Sequence, residues 1–303
     1  METRIGWALS AFFFATSGAG AQQATIAKVP DFPGAVDSPS FGINLAGTIV
    51  GDFRFETSGK VRGYALSQGS FTVIEFPESG WTSPRSINDA GDMAGFYYDG
   101  RQGNSHGFLL KNGVFTEIDF PGATQTQALG IDDDGDVVGG YCSGGDKCLN
   151  AGQPVHGFLL SGGVYTAIDV PGAIFTQLGG INRRQMVGQY AGPDGILHLF
   201  VLSGGQFSTI DYPGALQTEL AEHGFAGSIN ESGQIVGDYC TAPCTDVSQS
   251  VHGFLLSGGS FVSFDAPASL GSAATAINSQ GDVVGAFIGV DGHEHGFVRT
   301  LSR

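Results

Sequence analysis

The sequence predicts an all-β protein, a six-bladed β-propeller of four-stranded antiparallel blades, and three observations predict it. An Ile-Asn or Ile-Asp step recurs at Ile43-Asn44, Ile87-Asn88, Ile131-Asp132, Ile181-Asn182, Ile229-Asn230 and Ile277-Asn278, at spacings of 44, 44, 50, 48 and 48 residues. A period of that size marks a propeller or a repeat array. Between the markers lie apolar or alternating runs of four to seven residues, too short for helices and rich in Val, Ile, Phe, Tyr and Thr. The two ends of the chain carry complementary parts of one further unit. An open β-repeat array or β-solenoid is the alternative arrangement.

Residues 106–141 show the unit: HGFLL, KNG, VFTEIDF, PGATQTQ, ALGID, DDG, DVVGGY. The Ser-Gly-Gly triplets at 161–163, 203–205 and 257–259 and Lys111-Asn112-Gly113 are tight links between antiparallel neighbours. The Asn-x-x-Gly step at 44–47, 88–91, 230–233 and 278–281 suits a turn opened by Asn and closed by a glycine at positive φ. Asn182-Arg183-Arg184-Gln185 lacks that glycine, so its turn must differ. Asp-Gly at 99–100, 194–195 and 291–292 marks a third hairpin. The Pro-Gly-Ala link is longer and crosses from one blade to the next. Each blade thus runs ALGID (inner), DVVGGY, HGFLL, VFTEIDF (outer).

Residues 1–21 read as a signal peptide: Arg4, a short apolar core from Ile5 to Ala15, and Ala19-Gly20-Ala21 for cleavage. Residues 22–303 read as one propeller domain. Its blades span about 36–79, 80–122, 123–172, 173–214, 215–267, and 268–303 together with 22–35. The chain ends on a third strand, His295-Gly296-Phe297-Val298, whereas Ala24 to Val29 supplies an outer strand with no blade before it. Pairing the two removes an edge that would invite aggregation.

The units resemble the bacterial extracellular repeat family known as HAF repeats. The family's step reads His-Gly-Phe at 106–108, 156–158, 252–254 and 295–297, with variants Arg62-Gly63-Tyr64 and His198-Leu199-Phe200. The Ile-Asn-x-x-Gly-x-Val-Val-Gly element matches best at 229–237 and 277–285. The resemblance covers nearly the whole mature chain and implies location and fold, not chemistry.

Lys and Arg total 13 against a net charge of −16, a surface that repels phosphate backbones and anionic lipid. Nucleic-acid binding and membrane insertion are therefore not expected. The expected location is secreted, extracellular or periplasmic, as a monomer. Cys142 and Cys148 form one close pair and Cys240 and Cys244 another, each in an enlarged loop after a second strand. In an oxidising compartment these are expected to be local disulfides. Zinc is the alternative, but the pairs lie two blades apart and Cys-x-x-Cys is absent.

Candidate chemistry is sparse. His106, His156, His252 and His295 recur at one repeat position, as a packing or hydrogen-bonding residue does and a catalytic group does not. Asn44, Asn88, Asn182, Asn230 and Asn278 are structural turn residues by the same logic. Asp132, Asp134 and Asp136 form the densest carboxylate run, and calcium is the cofactor such oxygens would suit, although the run falls on an ordinary turn. Glu219, Glu222 and His223, in an enlarged loop at 216–226, are the candidates for acid–base work. No Gly-x-Ser-x-Gly elbow, phosphate loop or His-Glu-x-x-His motif is present.

The longer loops, 98–105, 142–155, 191–197, 216–226 and 240–251, should all emerge on one face, which makes that face the expected binding surface. The functional expectation is a non-enzymatic binding or scaffold protein with a glycan or protein ligand. A polysaccharide hydrolase or lyase is the alternative, and a purely structural matrix component a third.

Overall fold

In the computed structural model the described residues are 24–56, 59–100, 103–145, 154–219, 227–242 and 251–302. The predicted signal peptide lies outside them, as do Cys148, Cys244, Glu222 and His223. The described chain is all β, arranged as a propeller. No helix among these residues is long and apolar enough to cross a membrane.

The strands form five hydrogen-bonded sheets, which corrects the expectation of six separate ones. Four are of blade size. The first joins Ala24–Lys28 to Glu294–Leu301, then Val283–Gly289, then Ser269–Ile277. The second runs Gln125–Ile131, Val137–Cys142, His156–Ser161, Val164–Ile168. The third runs Phe175–Ile181, Gln185–Ala191, Leu197–Ser203, Gln206–Ile210. The fourth runs Ile235–Cys240, Val251–Ser257, Ser260–Phe264, with an inner edge in two pieces, Gln217–Glu219 and Ser228–Ile229. The fifth sheet has eight strands. Its halves, residues 40–74 and 81–118, are each antiparallel and meet at one parallel pair, Val61 with Trp81. That single contact merges what the repeat pattern separates.

One packing device explains the glycine of each Val-Val-Gly step. The aromatic of the third strand is fully buried in every repeat, as Tyr64, Phe108, Phe158, Phe200, Phe254 and Phe297. In five of the repeats its ring lies directly on that glycine. A Cβ on Gly188 would come within 2.6 Å of Phe200, and one on Gly139 within 2.9 Å of Phe158. Any side chain there would lift the ring out of the core, so the small residue and the large one are a matched pair.

A second device sets the inner strands. The pairing register slips at Phe41, Arg85, Leu129, Gly179 and Thr275, the same place in five of the repeats. A one-residue slip of this kind re-aims a side chain. All five residues line a single cavity to which inner strands of every repeat contribute.

Candidate functional site

The two ends of the propeller differ. At one end sit the turns between first and second strands. In five of the six, an Asn side chain does two jobs. Asn230 Oδ1 accepts from Ser232 N at 3.1 Å and Gln234 N at 3.0 Å, while its Nδ2 donates to the Asn278 carbonyl at 3.0 Å. The same donation runs from Asn44 to Asn88, Asn88 to Asp132, Asn182 to Asn230, and Asn278 back to Asn44. The six turns thus form a ring with one gap. Asp132 accepts from Asp134 N and Asp136 N but has no amide with which to donate to Asn182. An Arg183–Asp134 ion pair at 3.2 Å spans the gap instead.

The Asp132 carboxylate is therefore engaged by its own turn and that of Asp134 by Arg183, while Asp136 contributes its backbone N–H. Burial pushes the Asp132 carboxyl upward. Among the described residues the only trio of potential metal ligands within 4.8 Å of one another is His106, Glu117 and Asp119, of which the sequence singled out His106 alone, as a structural residue.

Inside this ring is an axial cavity of about 70 Å³. It has room for a few waters and not for a sugar ring. Arg85 fills its side, its guanidinium 4.1 Å from the Phe41 ring centroid and 4.8 Å from that of Phe96. Burial lowers the Arg85 pKa, and the Asp52 charge opposes this. Asp52 accepts from Ser83 Oγ at 2.7 Å. Burial pushes its carboxyl up to about 6, with Arg85 pulling it down. Glu294 is also raised, by burial first and then by Asp37, against Arg85 and Arg54. These charged groups escaped the sequence reading. The available signal was that Arg85 is the one charged residue at an inner-strand slip position.

The opposite end carries the longer loops. The antiparallel order puts the links between second and third strands there, together with the crossings between repeats. Segments 101–102, 146–153, 220–226 and 243–250, which the sequence reading assigns to that face, lie outside the described residues. Of the acid–base candidates only the backbone of Glu219 is described, paired with Asp238. Cys142 and Cys240 are fully buried at the ends of their strands, and neither is a free thiol. A pocket of about 230 Å³ opens on this face, lined by Lys28, Pro267, Ala268, Phe287, Gly289, Val290, Asp291 and His295.

The repeated histidines each meet a carboxylate of the outer strand. Nδ1 to oxygen distances are 2.7 Å for His106–Asp119, 3.1 Å for His156–Asp169, 2.9 Å for His198–Asp211 and 3.0 Å for His252–Asp265. Arg62 and Glu75 take the same place in the first repeat. His295 pairs with Asp31 of the N-terminal segment at 2.9 Å, and its Nε2 also meets Asp291 at 3.1 Å.

No family model and no curated protein matches the chain. Solved structures do. The Aleuria aurantia lectin, in complex with α-methyl-L-fucoside, aligns over 88% of this chain and 93% of its own at 13% identity, TM-score 0.54. TolB from Acinetobacter baumannii aligns over 84% of this chain at 11% identity, TM-score 0.55, and Trypanosoma rangeli sialidase over 91% at 10%, TM-score 0.51. The alignments span 64% of the TolB chain and 58% of the sialidase chain. At these identities the likeness shows the fold, a β-propeller.

Proposed function

We propose that the chain is an exported, non-enzymatic binding propeller whose ligand, a glycan or a protein, sits on the long-loop face. The observation that carries this is the contrast between the ends. One end is closed by turn-to-turn hydrogen bonds over a cavity of about 70 Å³, while the other offers the longer loops and a pocket of about 230 Å³. Recognition falls to loops held by a rigid scaffold. Breadth of alignment to a lectin supports a glycan at the level of class.

On this reading the eight-stranded sheet acts as two blades, so six surround the axis, and the ring of six turns supports that count. Disulfides Cys142–Cys148 and Cys240–Cys244 staple the two longest loops, and the chain is a HAF-type repeat protein released by its signal peptide. The enzymatic alternative would draw on Asp52, raised to about 6 beside Arg85 and Glu294. Asp52 is buried and already engaged by Ser83, which leaves it without access to a polymer.

Replacing loops 142–155 and 240–251 with Asp-Gly turns should abolish capture on an oligosaccharide array and of secreted proteins, with the β circular-dichroism spectrum unchanged. Binding that survives both replacements would sink the proposal.

A further inference from the structure

The His–Asp pairs of the repeats differ in their neighbours. Beside His156, His198 and His252, the outer-strand residue opposite the buried third-strand ring is uncharged. It is Ala167 facing Phe158, Thr209 facing Phe200 and Ser263 facing Phe254. Thr209 and Ser263 each meet a second-strand tyrosine, Tyr190 and Tyr239, hydroxyl to hydroxyl at 2.9 Å. Beside His106 the corresponding residue is Glu117, facing Phe108, and the Tyr97 hydroxyl donates to its Oε2. Of these four pairs, this one has a carboxylate where the others have an uncharged side chain.

Three carboxylates therefore converge on one imidazole. His106 Nδ1 lies 2.7 Å from Asp119 Oδ2, and its Nε2 lies 3.9 Å from Asp99 Oδ2. One ligating atom from each of His106, Glu117 and Asp119 falls within 4.8 Å of the other two. Among the described residues no Lys or Arg forms an ion pair with Asp99, Glu117 or Asp119, and Lys111 is drawn to Asp92 instead, at 2.6 Å. Asp119 Oδ1 is buried and accepts no hydrogen bond of normal geometry. Burial pushes the Asp119 carboxyl upward, His106 pulls it down, and the Glu117 charge pushes it up again. A buried carboxylate oxygen without a donor is costly unless something positive meets it.

One residue holds two of these side chains from behind. The Tyr97 ring stacks on His106 at 5.3 Å between centroids, while its hydroxyl fixes Glu117. Supports of this kind orient the ligands of metal ions. His106 and Asp119 are half-buried and Glu117 is exposed, so the cluster is reached from solvent.

We infer that His106, Glu117 and Asp119 bind a divalent transition-metal ion of the zinc class, with one coordination position left to solvent. An imidazole with two carboxylates suits zinc, which takes nitrogen and oxygen ligands tetrahedrally and accepts water in an open position. Calcium asks for about six to eight oxygens. A tetrahedral zinc site sets its ligand atoms about 3.3 Å apart. His106 Nδ1 and Asp119 Oδ2 then separate by roughly half an ångström, and Glu117 closes in. Zinc takes the place of the proton shared by His106 and Asp119, which passes to solvent. The site is independent of whatever ligand loops 142–155 and 240–251 hold.

The experiment is a calorimetric titration of the untagged, chelator-stripped protein with zinc chloride, and with calcium chloride in parallel. Zinc should bind with a Kd on the order of 10 μM, and calcium at least about 10-fold more weakly. Glu117→Gln keeps an acceptor for Tyr97 and should weaken zinc about 10-fold or more. Asp169→Asn alters the His156 pair, which lacks the extra carboxylate, and should leave zinc affinity unchanged. In the wild-type protein, zinc below one equivalent should shift the imidazole proton–nitrogen NMR signals of His106 before those of His156, His198 and His252. No saturation at about 1 mM zinc, calcium bound as tightly as zinc, or wild-type affinity in Glu117→Gln would overturn the inference. So would an equal loss in Asp169→Asn or a first shift at another histidine.

Discussion

The turn end and the loop end of this propeller satisfy buried polar groups in opposite ways. At the turn end five Asn side chains are neutral, accept from their own turn and donate to the next, so all but one of the repeats fasten a neighbour through an uncharged amide. Towards the loop end the interior holds ionisable groups whose pKa values are displaced by burial, Asp52 and Glu294 facing Arg85. A neutral amide suits a role repeated around a ring, because its desolvation is modest and fully repaid by hydrogen bonds. Buried charge is costly, and Asp52, Arg85 and Glu294 bring three such groups under one another's influence.

The largest test of this contrast is pH. Asp52 titrates at about 6 in the folded chain against an ordinary 3.8. The folded state thus holds the proton more tightly, so this contribution is full below about pH 4 and is lost as pH rises through 6. Two pKa units correspond to about 3 kcal/mol. Asp52→Asn should remove that component from urea-unfolding free energies compared at pH 4 and pH 7. An unchanged difference would mean that the loop end does not carry the strain assigned to it.

The turn end is tested by Asn278→Ala, which removes the acceptor for Gln280 N and Asp282 N and the donor that returns to Asn44. A loss of about 1–3 kcal/mol in thermal or urea unfolding is expected. A neutral effect would reduce the ring to a geometric coincidence. The smallest change sharpens the same point. Asp132→Asn supplies the missing amide opposite Asn182 and should stabilise by about 0.5–1.5 kcal/mol. No gain would show that the Arg183–Asp134 pair already fills the gap.

Much of this was legible in the chain. The Asn turns announced themselves because their geometry is local, a side chain bonding to backbone two to four residues on. The sheet order followed from which links were tight and which were long. The histidine partners were also within reach, since an Asp stands 13 residues after His106, His156, His198 and His252. Regular spacing to a second repeated residue was the signal, and it was not used. Arg85 was harder to find, because its burial comes from Phe41, in the preceding repeat, and from Phe96 on the neighbouring strand. The number of separate sheets was missed because one pair, Val61 with Trp81, joins two of them.

What the sequence by itself determined is the repeating unit: strand lengths, turn types, glycines matched to buried rings and the polarity of each face. These are set by interactions within a strand, a turn or a hairpin, and a period of 44 to 50 residues writes them out six times. What only the tertiary structure decided is where the repeats are unequal. The plugging of the axis by Arg85 and the gap at Asp132 each depend on side chains from different repeats meeting in space.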